Sequence, residues 1–178
     1  LGTGLRVGEA LSLRRSDIHF LPDSALLGCG ISGPHLHVVP RHNNSNRSST
    51  KSRNPRFVPV AGDIVRAYAD YMAEREGFTH GTESDFVFVN LYSSRWAGAP
   101  MTYSNVKQWF DRLGRVVGAD VRPHMLRHTA ATRWLHEGGA ELDTVQALLG
   151  HANASSTAVY LHPREQDLRD AVSRVDAS

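Results

Sequence analysis

The period of the hydrophobic pattern changes near Ala61, and this change constrains the fold more than any other feature of the sequence. Before it, residues 17–22, 35–39 and 56–60 form short runs that are typical of strands. After it, apolar residues recur at the spacing of a helix, as in Ile64, Val65, Tyr68, Tyr71 and Met72. The sequence therefore predicts a mainly helical α+β fold, with a small antiparallel sheet on one edge and a long polar loop between its last two strands.

Capping residues and glycines indicate where the helices begin and end. Thr3 is placed to cap a first helix, which carries Arg6 and Glu9 on one face. Pro123 fits the first turn of a later helix, which Gly138 and Gly139 should end. Apolar spacing also predicts helices over 106–117, 142–149, 155–161 and 168–175, and a short buried strand over 85–90.

The composition bounds the class of protein. A chain of 178 residues that is 40% hydrophobic can form one buried core, so we expect a single domain. Its one cysteine, Cys29, excludes an internal disulfide, and we expect a cytoplasmic protein. No run approaches the roughly 20 apolar residues of a membrane span. Because the chain begins at Leu1 within a predicted turn and helix, we expect it to be a fragment of a longer protein.

Basic side chains are concentrated in the predicted loop between the last two strands. The formal net charge is only +2, yet residues 41–56 contain five arginines and lysines and no acidic residue. They are Arg41, Arg47, Lys51, Arg53 and Arg56. The segment is either a solvated loop or a surface that follows a phosphate backbone. No GxxxxGK motif is present, so nucleotide hydrolysis is not supported.

Polar side chains stand beside apolar helix faces in three separated segments, namely 5–9, 123–128 and 149–151, with Tyr160 nine residues after the last. With these segments in this order along the chain, the sequence resembles the phage integrase or tyrosine recombinase family. The catalytic domain of that family carries an arginine in a TGxRxxE segment, a lysine on a strand hairpin, an HxxR box, a histidine or tryptophan in an LGH segment and a nucleophilic tyrosine. The matching residues here are Arg6, Lys51, His124, Arg127, His151 and Tyr160.

The resemblance implies a site-specific recombinase that cuts and rejoins double-stranded DNA through a 3′-phosphotyrosine. It implies a tetramer on DNA, a missing amino-terminal DNA-binding domain, and no cofactor, metal or nucleotide. Tyr160 would be the nucleophile, His124 a general acid/base, His151 a hydrogen-bond donor to the phosphate and Lys51 the acid that protonates the leaving 5′ oxygen. Arginine's planar fork suits a phosphate clamp, the role expected of Arg6 and Arg127, with Glu9 orienting Arg6. The remaining loop arginines, Arg41, Arg47, Arg53 and Arg56, would bind DNA.

Other interpretations remain open from the sequence. A type IB topoisomerase shares much of this residue set, and a non-catalytic DNA-binding relative would keep the fold alone. His124 and His128 have a spacing that could hold zinc, but neither HExxH nor CxxC accompanies them, so we predict no metal site. His35 and His37 share a strand face, where an exposed structural role is expected. The apolar stripe over 168–175 could complete its own core or dock on a neighbouring subunit.

Overall fold

The computed structural model describes residues 2–50, 54–78, 83–93 and 95–150. Several residues predicted for the site, Lys51, Arg53, His151 and Tyr160, lie outside these ranges. The helices predicted over 155–161 and 168–175 also lie outside them.

A three-stranded antiparallel sheet forms where the alternating runs were predicted. Its strands are β1 (Ile18–His19), β2 (His35–Val38) and β3 (Arg56–Pro59), in the order β1-β2-β3. Leu36 of β2 lies opposite Ile18 on one side and Val58 on the other. Because side chains alternate along a strand, this register directs Leu36, Val38 and Val58 into the core. The predicted small sheet and the long connection between its last two strands are confirmed.

The rest of the described chain is mainly helical, as predicted. The α-helices are α1 (Val7–Ser12), α2 (Gly62–Glu76), α3 (Tyr103–Val117), α4 (Pro123–His136) and α5 (Leu142–Leu149). Short 3-10 turns cover Arg15–Asp17 and Ser24–Leu27. Pro123 occupies the first turn of α4, as predicted. Gly150 ends α5 with a φ of 64°. Within the described ranges, no helix combines the length and the apolar character needed to cross a membrane.

Two local predictions were wrong. Thr3 does not cap the first helix, since the N-cap of α1 is Arg6, whose backbone N–H donates to the Glu9 carboxylate. Residues 85–90 form isolated bridges rather than a strand. The segment divides its backbone hydrogen bonds between two others, since residues 85 and 87 bond to 15 and 13, and residues 88 and 90 bond to 101 and 99. The buried Arg75 guanidinium of α2 donates to further carbonyl oxygens there, those of residues 84, 86 and 87.

Packing of α5 against α4 brings distant segments next to the start of the chain. Ala131, Val145 and Leu149 form a buried cluster, with Trp134 packed against it. Gly4 has a φ of 58°, and a Cβ placed on it would lie 2.5 Å from the Trp134 ring. Only glycine fits this close approach in the left-handed region without strain. The segment before α1 therefore lies directly against α4 and α5.

Candidate active site

Arg127 on α4 connects three segments of the chain. Its side chain is only 2% exposed, and its Nη1 donates to the Gly4 carbonyl oxygen at 2.7 Å. Its Nη2 donates to the Leu149 carbonyl oxygen, also at 2.7 Å. Carbonyl groups in the last turn of a helix have no partner within the helix and attract cations. The guanidinium is therefore held rigidly between the chain start and the end of α5.

Arg6 lies beside Arg127. Its Nη1 donates to Glu9 Oε1 at 3.0 Å and approaches the Leu149 carbonyl oxygen at 3.5 Å. The same carbonyl accepts from Arg127, so the two guanidinium groups share one acceptor. The structure thus brings together the two arginines that sequence analysis assigned to a phosphate clamp, although they come from distant parts of the chain.

Glu9 is the buried carboxylate around which these arginines are arranged. Its side chain is fully buried, and its two oxygens accept from Arg56 Nη1 at 3.2 Å and Nη2 at 2.9 Å, besides Arg6. Arg127 Nη1 lies 3.8 Å from Glu9 Oε2. Burial raises the pKa of Glu9, but hydrogen bonds and positive charge from Arg56 and Arg6 outweigh it and leave the pKa below its ordinary value of 4.5. One carboxylate therefore faces three guanidinium groups, and the cluster keeps excess positive charge.

Arg56 has a position that sequence analysis did not foresee. It was predicted to bind DNA, yet its side chain is 11% exposed and pairs with Glu9 through two nitrogens. Its Nε donates to the Leu148 carbonyl oxygen at 2.9 Å. A Cβ on Gly150 would lie 2.7 Å from Arg56 Nη1, so the glycine after α5 leaves room for this arginine. The geometry gives Arg56 a role in holding Glu9, and its contact with DNA stays a prediction.

A cavity of about 620 Å³ opens beside the arginine cluster. Its lining includes Arg6, Arg47, Arg122, His124 and Arg127, and none of the described lining residues is acidic. Four of these five were predicted from the sequence. Arg122 was not; it stands just before α4 and pairs with Asp120 at the surface. A cavity with this lining suits an anion.

His124 lies in the first turn of α4, at the exposed side of this cavity. Its ring packs edge-on against the His128 ring, with centroids 4.4 Å apart. Partial burial lowers the pKa of His124 below 6.5, and the nearby His128, Arg127 and Arg6 lower it further. The imidazole is therefore neutral near pH 7 and can accept a proton.

Residues 39–50, in the basic connection between β2 and β3, form a platform that hydrogen bonds hold against α1. Asn46 donates to the carbonyl oxygens of Leu11 and Met101, and Asn44, Ser48 and Thr50 are also buried. Arg41 pairs with Asp17 through two nitrogens at 2.7 and 2.8 Å. This pairing indicates that Arg41 anchors the platform, and its predicted contact with DNA is untested.

Arg47 occupies a different place on the same platform. It is exposed, lines the cavity and has a φ of 59°. Gly8 allows the platform to approach α1 closely, since a Cβ there would lie 2.4 Å from the Ser49 carbonyl oxygen.

The fold and the cavity together define a mainly helical α+β domain that gathers arginines from separate segments around a site for an anion. The chain belongs to the phage integrase family, whose model matches residues 1–167. Transposase A from transposon Tn554 of Staphylococcus aureus is 32% identical over 96% of this chain and 44% of its own length. Tyrosine recombinase XerC of Staphylococcus haemolyticus is 34% identical over 94% of this chain and 48% of its own.

Solved structures agree with this assignment. XerA recombinase matches with a TM-score of 0.68 and 29% identity, over 97% of this chain and 53% of its own. XerH site-specific recombinase, solved in a pre-cleavage complex with its difH substrate, matches with a TM-score of 0.62 and 26% identity, over 97% of this chain and 43% of its own. The chain thus spans about half the length of the relatives that it matches. These likenesses confirm the family and the fold that were predicted from the motifs.

Proposed function

We propose that this chain is the catalytic domain of a site-specific tyrosine recombinase, which breaks and rejoins double-stranded DNA through a covalent bond to Tyr160. The observation that carries the proposal is the meeting of Arg6 and Arg127 at one acceptor, the Leu149 carbonyl oxygen, beside a cavity that also holds His124. The names of the relatives, a transposase and a tyrosine recombinase, support it. The XerH complex with its substrate supports DNA as the partner.

The arginine cluster would act on the charge of the phosphodiester. A phosphodiester resists attack because negative charge builds on its non-bridging oxygens, and preorganised guanidinium groups stabilise that charge. Glu9 and the carbonyl acceptors hold Arg6 and Arg127 in place before DNA binds. Little reorganisation is then required during the reaction. The single carboxylate leaves the cluster positive, as an anionic transition state needs.

The covalent step exchanges one phosphodiester for another. The Tyr160 oxygen attacks phosphorus, His124 accepts the phenolic proton, and the bond from phosphorus to the 5′ oxygen breaks. Lys51 protonates the leaving 5′ oxygen, and His151 donates a hydrogen bond to the phosphate. The product is a 3′-phosphotyrosine with a free 5′ hydroxyl, and attack by a 5′ hydroxyl reverses the step. The roles of Lys51, His124, His151 and Tyr160 rest on the family resemblance. The protein would act as a tetramer on DNA in the cytoplasm.

Trapping the covalent intermediate tests this proposal. The full-length protein is incubated with nicked duplexes drawn from the DNA that flanks its gene, and adducts that resist denaturant are mapped by mass spectrometry. We expect an adduct on Tyr160 that Tyr160→Phe abolishes while DNA binding persists. Tyr103→Phe is the matched control, because Tyr103 lines the cavity and is 56% exposed. An undiminished adduct in Tyr160→Phe would contradict the proposal. Relaxation of a supercoiled plasmid without strand exchange would indicate the topoisomerase instead.

The neutral state of His124 leads to a pH-dependent prediction. A general base is inactive once protonated, and the pKa of His124 is lowered by burial, His128 and the two arginines. Cleavage should therefore persist as the pH falls below 6.5 and be lost only at a lower pH. His128→Gln removes one of the neighbours that lower the pKa of His124. The acidic limb of the pH–rate profile for single-turnover cleavage should therefore move to higher pH. His136→Gln, at the other end of α4, should leave the limb unchanged. An unmoved limb in His128→Gln would argue against His124 as the titrating base.

A further inference from the structure

Three histidines and the only cysteine of the chain meet on the face of the sheet opposite its apolar core. His35 and His37 of β2 alternate with Leu36 and Val38, which are buried in the core cluster. His19 lies directly opposite His35 in the β1–β2 register, so its side chain is on the same face. Residues of the β1–β2 connection return to this face after the 3-10 turn, and they bring Cys29 over the strands.

The donor atoms are spaced as ligands of one metal ion. Cys29 Sγ lies 3.4 Å from His35 Nε2 and 3.5 Å from His37 Nε2, and the two nitrogens are 3.2 Å apart. One donor atom from each of the four residues, His19 included, lies within 4.8 Å of the others. Tetrahedral zinc with ordinary bond lengths places nitrogen ligands about 3.4 Å apart and a sulfur about 3.6 Å from each nitrogen. The three measured separations agree with this geometry.

Backbone carbonyls orient two of the imidazoles as metal ligands. His35 Nδ1 lies 2.7 Å from the Gly33 carbonyl oxygen and donates to it, which leaves the lone pair on Nε2, facing the cluster. His19 Nε2 lies 3.3 Å from the Ser16 carbonyl oxygen. If that nitrogen carries the proton, the lone pair of His19 is on Nδ1. Such carbonyl contacts commonly fix the tautomer of a ligating histidine.

The His19 ring contains a buried nitrogen that the described part of the chain leaves unsatisfied. His19 is 9% exposed, and its Nδ1 has no hydrogen-bond partner among the residues that the structure describes. A buried acceptor without a partner costs free energy, and a metal ion would satisfy it. Hydrogen bonds among Cys29, His35 and His37 could account for those three groups without a metal, but they leave this nitrogen unsatisfied. The unsatisfied Nδ1 of His19 therefore favours a metal site over a cluster held by hydrogen bonds alone.

We propose that His19, Cys29, His35 and His37 bind one zinc ion in a structural site. Four protein ligands complete a tetrahedron and leave no open position, which is the arrangement of a structural rather than a catalytic zinc site. The ion would fasten the β1–β2 connection to the sheet. The absence of CxxC and HExxH motifs led sequence analysis to expect no metal, but these ligands come from two strands and a loop, which such motifs do not describe. The site is independent of the recombinase chemistry.

Cobalt substitution tests the site directly. Untagged protein is stripped with a chelator and titrated with Co²⁺, which reports tetrahedral coordination by its visible absorption and a thiolate ligand by a charge-transfer band in the near ultraviolet. We expect both bands to saturate at one ion per chain and to disappear when Zn²⁺ is added. Cys29 is the only cysteine, so a thiolate band identifies this cluster and excludes binding at His124 and His128. A wild-type spectrum without the thiolate band would overturn the proposal.

Variants and heat stability provide a second readout. Cys29→Ser should abolish the charge-transfer band, and His37→Gln should weaken Zn²⁺ binding by at least about 100-fold. Zn²⁺ at roughly 100 times its Kd should raise the Tm of the wild type by about 5–10 °C, and this rise should vanish in Cys29→Ser. His42→Ala is the control, because His42 is exposed and stands outside the cluster. An equal rise in the wild type and Cys29→Ser would overturn the proposal, and the wild-type spectrum decides the matter if either variant fails to fold.

Discussion

Replacing Arg127 with alanine is expected to slow DNA cleavage by at least about a hundredfold, since a preorganised donor to the transition state is removed. The same change should destabilise the domain. The Gly4 carbonyl oxygen loses the Arg127 donor, and the Leu149 carbonyl oxygen keeps only the longer contact from Arg6. A buried acceptor left unsatisfied costs about 1–3 kcal/mol. Single-turnover cleavage of a nicked site measures the first effect, and urea unfolding measures the second.

Two further variants separate the loss of chemistry from the loss of stability. Arg127→Lys keeps the charge but lacks the planar fork that contacts both carbonyls, so cleavage should stay low even where the fold is retained. Arg133→Ala is the matched control on α4, because Arg133 is 59% exposed and pairs with Glu137 at the surface. Its effect on stability should be small beside that of Arg127→Ala. A near-normal cleavage rate in Arg127→Ala, measured below its Tm, would argue against the clamp.

Features that depend on local sequence could be predicted from this chain. Alternating runs located β2 and β3, and Pro123 marked the start of α4 because proline fits the first turn of a helix. The strand expected over 85–90 was wrong because its backbone bonds partly to residues 13–15, partly to residues 98–101 and partly to the Arg75 side chain. An apolar run does not reveal which partner will satisfy its backbone.

The residues of the candidate site that stand in family motifs could be predicted from the sequence, and the others could not. Arg6, His124 and Arg127 stand in segments that resemble family motifs, and the structure places all three at one cavity. Arg56 and Glu9 are 47 positions apart, and nothing in their local sequence pairs them. The loop arginines looked equivalent in the sequence, whereas in the structure Arg41 and Arg56 hold acidic residues and Arg47 faces the cavity. Only tertiary contacts separate these roles.

The proposed zinc ligands likewise depend on tertiary contacts that local sequence does not reveal. Alternation along β2 correctly placed His35 and His37 on one face, but it predicted exposure, and His35 is 1% exposed. Burial of that face depends on the β1–β2 connection, which brings Cys29 over the strands. A histidine pair two residues apart, preceded by the only cysteine of the chain, is the pattern that could have suggested the site.

Glu9 is the buried counter-charge of three arginines, so its neutralisation should have a large effect on stability. Glu9→Gln keeps the shape of the side chain but leaves Arg6, Arg56 and Arg127 without their shared counter-charge. Breaking a buried ion pair from one side typically costs about 3–5 kcal/mol. Urea unfolding at pH 7 should show a loss of this size. Glu137→Gln is the control, because the surface pair of Glu137 with Arg133 is more than half exposed and should contribute little to stability.

The pH dependence of that loss identifies its cause. The pKa of Glu9 is lower in the folded protein than its ordinary value of 4.5, so the unfolded chain takes up a proton first as the pH falls. The contribution of Glu9 to stability is then complete above pH 4.5 and is lost as the pH falls through the lower folded pKa. The difference in unfolding free energy between wild type and Glu9→Gln should be constant above pH 4.5 and shrink below it. A difference at pH 7 no larger than that of Glu137→Gln would mean that the buried carboxylate does not hold the cluster together.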